Sequence, residues 1–279
     1  MKHAPTDLAE VKVRSLDSYD RIYGVIDGGL TTGRGELRVA NHRGVGRETL
    51  PSETSARDLL LVMPLLLLDL DNTLVDRDAA FRTAAADFLA EHDLPDSDLT
   101  WVTTVDASGY TARHEVAAAL TERYGDVVPT SAIRDLLDNG VADHVVLTRS
   151  SRDALSKAQA DGWTCVIVTN GRTVQQEAKI RNTGLDQLVQ GWVISETVAH
   201  RKPEPEILHA AAAETVSLPL HGAWVIGDSP QADIAGAAAL GLRSVWVTDG
   251  RPWSQDSYQP THIAKDVATA IGHAIRKHR

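Results

Sequence analysis

Asp69 and Asp71 are carboxylates two residues apart, and they follow directly on the run Leu65-Leu66-Leu67-Leu68. An unpaired buried carboxylate is costly, so acids close an apolar strand only where they face a site. Side chains alternate along a strand, so both acids share one side if the chain stays extended. Two acids so placed offer hard oxygen ligands to a divalent cation. An Asp-rich turn after a core strand would carry the same residues, and the pair alone does not decide between the two.

The elements that must position these acids follow from the apolar pattern. A continuous apolar run reads as a strand buried on both faces, in the middle of a parallel sheet. Shorter runs at 165–168, 191–194, 223–226 and 244–247 repeat the signal. Helical spacing predicts helices over 77–92, 113–124 and 131–138 with no strand between them, a small helical unit inserted after the first strand. Further helices are expected over 149–161, 174–182, from Pro203 to about residue 214, over 232–240 and over 263–277, with Gly162, Gly184 and Gly241 as stops. Strands alternating with helices predict an α/β fold with a parallel sheet.

Polar residues recur where these strands end. They are Asp69 with Asp71, Thr169-Asn170, Lys202, and Asp228 with Asp233. Each is ordinary alone: a turn, a solvated lysine, a helix cap. At one edge of one parallel sheet they converge on a single crevice.

The motifs Asp69-Leu70-Asp71-Asn72-Thr73, Val168-Thr169-Asn170-Gly171, Lys202-Pro203 and Gly227-Asp228-Ser229-Pro230-Gln231-Ala232-Asp233, in this order, resemble the haloacid dehalogenase (HAD) superfamily of hydrolases. The likeness is to its phosphatase branch with a helical cap and covers roughly residues 64–250. It implies a Rossmann-like core of residues 63–76 and 146–279 and a cap of residues 77–145. It further implies that Asp69 is the nucleophile of an aspartyl-phosphate and Asp71 the general acid and base. A second carboxylate nearby would favour the raised pKa that this acid role needs. Mg²⁺ would be held by Asp69, the main-chain carbonyl of Asp71 and Asp228, with Asp233 acting indirectly on Lys202 or on a metal-bound water. The Thr169 hydroxyl and Asn170 backbone N–H would hold the phosphoryl group, and Lys202 would offset its charge. The expected activity is Mg²⁺-dependent hydrolysis of a small phosphorylated metabolite. The rivals are a phosphomutase using the same site, a dehalogenase and a non-catalytic binding module. The dehalogenase branch lacks an acid two positions after the nucleophile, so Asp71 speaks against it: a leaving alkoxide needs a proton and a halide does not. Ala232 stands where the family often has Asn.

Within the insert, Arg113 and His114 are candidates to read a second anionic or hydroxyl group of the substrate, with a solvated helix face as the plain alternative. Trp224 and Trp246 read as core. Cys165, the one cysteine, lies inside an apolar run and reads as an inert buried thiol. The net charge of −10 argues against general nucleic-acid or membrane-surface binding, and no segment reads as a secretory signal or a membrane span, so the expectation is a cytoplasmic enzyme. Residues 1–62 differ from the rest: they carry 9 Lys+Arg, 9 Asp+Glu and 7 of the 20 glycines. They read as an irregular extension, with Met63 as an alternative start of the folded domain.

Overall fold

The computed structural model describes residues 64–278. The extension expected over 1–62, and Met63, lie outside the described residues. Six strands form one sheet in the order β3-β2-β1-β4-β5-β6, every neighbouring pair parallel. They are β1 (Leu65–Leu68), β2 (Thr164–Thr169), β3 (Gly191–Ile194), β4 (Trp224–Gly227), β5 (Arg243–Val247) and β6 (His262–Ala264). The chain steps outward through β2 and β3, then returns to the other side of β1 for β4. The switch point of the sheet therefore lies between β1 and β4, where the first and last acidic motifs end up.

The leucine run is the centre of this sheet. Its four side chains are at most 2% exposed. Strand alternation divides them between two cores: Leu66 and Leu68 face one, Leu65 and Leu67 the other. Each buried leucine contributes about 2 kcal/mol of transfer free energy. Trp224 and Trp246 are buried as expected, and burial pushes the Cys165 thiol up to about 12.

Between β1 and β2 the described elements are helical: α1 (Arg77–Glu91), α2 (Leu99–Asp106), α3 (Arg113–Tyr124), α4 (Thr130–Asp135) and α5 (Val141–His144), followed by α6 (Arg149–Ala160). A π turn over Leu136–Gly140 joins α4 to α5, so the helix expected over 131–138 runs on further. Phe81, Leu89 and Leu120 of this insert share one apolar cluster with Leu66 and Leu68 of the sheet. Two expectations need correction. Helix α2 has no counterpart among the expected helices, because its Thr and Val residues carry low helix propensity. The last helix, expected from residue 263, begins only at Val267 (α11, Val267–His278), and Ile263 belongs to β6. The helices after β2 are α7 (Thr173–Asn182), α8 (Ser195–Val198), α9 (Pro205–His209) and α10 (Ala235–Ala239). The helix expected from Pro203 is α9 with a following π turn over Ala210–Glu214. That expected over 232–240 is a π turn over Pro230–Ile234 leading into α10.

Candidate active site

The strand ends line one cavity of about 410 Å³ that also takes residues from the insert. Asp69, Asp71, Thr169, Asn170, Lys202, Asp228, Asp233 and Arg113 all border it. His114, expected beside Arg113, is exposed and lies outside this lining.

Asp69 stands at the end of β1, its N–H tied to the Ile226 carbonyl of β4 at 2.9 Å. The chain then turns: the Leu74 and Val75 N–H groups both bond the Leu70 carbonyl, and Asn72 takes a left-handed φ of 57°. The turn brings Thr73 back, and its hydroxyl donates to Asp69 Oδ2 at 3.1 Å.

Lys202 is the hub. Its Nζ lies 2.6 Å from Asp69 Oδ1 and 2.7 Å from Asp233 Oδ1, with the side chain 4% exposed. Asn170 fixes the lysine's main chain from both sides. The Lys202 N–H donates to Asn170 Oδ1 at 2.8 Å, and Asn170 Nδ2 donates to the Lys202 carbonyl at 3.0 Å. Asp233 also accepts from the Ser229 N–H at 3.0 Å. Its carboxylate packs so closely on Gly227 that a Cβ there would lie 2.1 Å from Asp233 Oδ2, so the glycine ending β4 is a steric requirement.

Asp69, Asp228 and Asp233 are all buried, and each can place a carboxylate oxygen within 4.8 Å of the others. Burial pushes Asp69 up to about 8; Lys202 opposes the rise, and the Asp233 and Asp228 charges add to it. Burial and Asp233 push Asp228 up to about 6, against Arg251. Lys202 is burdened by desolvation, yet the two acids raise its pKa above the ordinary 10.5. The cluster thus holds more buried carboxylate than cation. An all-oxygen donor set with surplus negative charge fits a hard divalent ion.

Asp71 corrects an expectation. Burial raises its pKa, but the Lys179 ammonium, the Gln176 hydrogen bond and the Arg77 charge together outweigh burial and hold it below the ordinary carboxylate value. Lys179 Nζ lies 2.8 Å from both Asp71 oxygens. Gln176 Nε2 donates to Asp71 Oδ2 at 3.0 Å and to Thr169 Oγ1 at 2.6 Å. The neighbouring charge that decides is a lysine, not a second carboxylate.

Further residues complete the site with no sequence motif to mark them. Arg251 Nη2 donates to Asp228 Oδ2 at 2.9 Å and to its carbonyl at 3.0 Å, and Trp246 Nε1 bonds that carbonyl at 2.8 Å. Arg77 pairs bidentately with buried Asp106, anchoring the turn Ala107-Ser108-Gly109, whose three residues all have positive φ. From that turn Tyr110 Oη reaches Ser229 Oγ at 3.2 Å, joining insert to core across the cavity. For Gln176 and Lys179 there was one signal: they are polar residues one turn apart in a helix whose buried face also includes Ile180.

Comparison with known proteins agrees with this geometry. Residues 66–247 match the haloacid dehalogenase-like hydrolases as a family. The phosphoserine phosphatase of Thermus thermophilus is 34% identical over 96 residues, 34% of this chain but only 38% of that protein's length. The phosphoglycolate phosphatase of Mesorhizobium japonicum is 30% identical over 227 residues, 75% of this chain and 89% of the relative. Among solved structures, the HAD-hydrolase YfnB of Bacillus subtilis, bound to magnesium, superposes with a TM-score of 0.66 at 22% identity, over 76% of this chain and 98% of that one. With its motifs gathered at the switch point of a parallel sheet and the family match running from β1 to β5, the chain belongs to the haloacid dehalogenase-like hydrolases.

Proposed function

We propose that this hydrolase is a Mg²⁺-dependent phosphatase that acts on a small phosphorylated metabolite through an aspartyl-phosphate. The observation that carries the reading is Asp69: a buried carboxylate on the cavity lining, fixed by Lys202 and Thr73. An Asp69 oxygen attacks phosphorus, and the ester oxygen leaves with a proton from Asp71. Water then attacks the phosphorus of the aspartyl-phosphate, the P–O bond to Asp69 breaks and frees its carboxylate, and the water's proton goes to Asp71. Lys202 and Thr169 hold the transferring group in place. A dianionic phosphate monoester arriving beside Asp71 counteracts the Lys179 charge and favours the protonated acid. A divalent cation held by Asp69, Asp228 and the Asp71 main-chain carbonyl, with Asp233 acting through Lys202, would neutralise charge on the phosphoryl oxygens. Among the described residues no helix is long and apolar enough to cross a membrane.

Arg113 supports a narrower substrate class. It borders the cavity at the start of α3, and no acid among the described residues lies within ion-pairing distance of it. Burial depresses its pKa, and the Asp138 charge offsets only part of the fall. A substrate with a second anionic group supplies the remaining counter-charge. Two of the relatives are named for phosphate esters that also carry a carboxylate.

A panel of phosphorylated metabolites, assayed with Mg²⁺ and after chelation, tests the reading. Turnover should require the cation and favour phosphocarboxylates. Arg113→Met should raise KM for them about tenfold, the value of a lost charge-assisted hydrogen bond, with little change in kcat. Equal activity after chelation would refute the metal role. A sugar phosphate isomerised without release of phosphate would point to the mutase.

A further inference from the structure

Lys179 enters the mechanism so far only as a charge to be offset, yet its side chain is 7% exposed and its ammonium faces both oxygens of Asp71. Lysine is rarely buried without a purpose, and a buried ion pair gives little net stability against an apolar pair of the same size. Gln176, one turn earlier on α7, bridges the same carboxylate to Thr169 Oγ1. Room for Gln176 depends on Gly171: a Cβ there would meet Gln176 Cγ at 2.9 Å, and the residue's φ is 152°. Three contacts to one carboxylate fix its plane, and Gln176 ties that plane to the residue that holds the phosphoryl group.

We propose that Lys179 and Gln176 form a cradle that aims Asp71 at the leaving-group oxygen, with Lys179 as a positioning residue for proton transfer. The inference rests on the phosphatase reading. In the step it serves, the P–O ester bond breaks as the Asp71 proton passes to the departing oxygen. In the second half-reaction the proton of the attacking water returns to Asp71.

The test is a series of substituted phenyl phosphates, with log kcat/KM plotted against leaving-group pKa. Good leaving groups depart without a proton and poor ones do not. With kcat/KM taken for each protein at its own pH optimum, so that the higher Asp71 pKa left by loss of the ammonium does not enter, the plot should steepen in Lys179→Met: phenyl phosphate should lose about tenfold while p-nitrophenyl phosphate changes less than about twofold. Lys179→Arg should restore the wild-type slope. If the methionine variant does not fold, Gln176→Leu carries the same expectation. A purely structural lysine would lower every substrate alike, so an unchanged or shallower slope overturns the cradle and leaves the phosphatase reading standing. A wild-type enzyme inert toward every aryl phosphate and toward every phosphorylated metabolite of the panel overturns the reading and the cradle together.

Discussion

Asp69→Asn is expected to abolish turnover, by at least about a thousandfold, while leaving the protein folded and no less stable. The amide keeps the shape of the carboxylate but cannot attack phosphorus. The stability half follows from linkage. The folded pKa of Asp69, about 8, lies above its ordinary 3.8, so the native state binds more protons than the unfolded chain between those values. Stability contributed by this group therefore falls as pH rises from about 4 to about 8. The amide has no such dependence. In metal-free buffer at pH 8 the variant should melt at or above the wild-type temperature, and its stability should fall less steeply from pH 5 to pH 8. Thermal scans across that range check the slope, and phosphate release checks the activity. A variant that melts far below wild type would mean that Asp69 is a structural anchor first.

Lys202→Met is expected to remove both activity and stability. It leaves Asp69 and Asp233 buried without the ammonium that both contact. Breaking a buried pair by deleting one partner costs about 3 kcal/mol, and for a domain of this size that lowers the melting temperature by roughly 10 °C. The folded pKa of Lys202 is raised, so its contribution is fully present below its ordinary value of 10.5 and is lost only above it. Measurement at pH 7 is well inside the window. The contrast with Asp69→Asn is diagnostic. Removing one acid relieves a cluster with excess negative charge, whereas removing its cation aggravates it.

The leucine run made the sheet legible, because four consecutive buried leucines have few explanations other than a central strand. The glycines and acids at the strand ends made the crevice legible, since each motif stands where a parallel strand hands over to a loop. Strand β6 escaped notice because His262-Ile263-Ala264 is too short to separate from the helix that follows. Asp71 was legible as an acid but not in its charge environment. The deciding partner, Lys179, is 108 residues away on a helix where lysine ordinarily means a solvated face. Arg251, which grips Asp228, sits in a loop after β5 with no pattern to mark it. Local motifs carry the reacting groups. The residues that set their charge and orientation arrive through tertiary packing, and no spacing in the chain records them.

The central claim is that Asp69 carries the phosphoryl group during turnover. Acid quenching of the enzyme during steady-state hydrolysis of an aryl phosphate, followed by peptide mass spectrometry, tests it directly. The account predicts that the peptide containing Asp69 gains the mass of one phosphoryl group, with fragment ions placing it on Asp69, and that the Asp69→Asn protein shows no such species. A phosphoryl group mapped to another residue, or rapid turnover with no modified peptide when phosphoenzyme breakdown limits the rate, would contradict it.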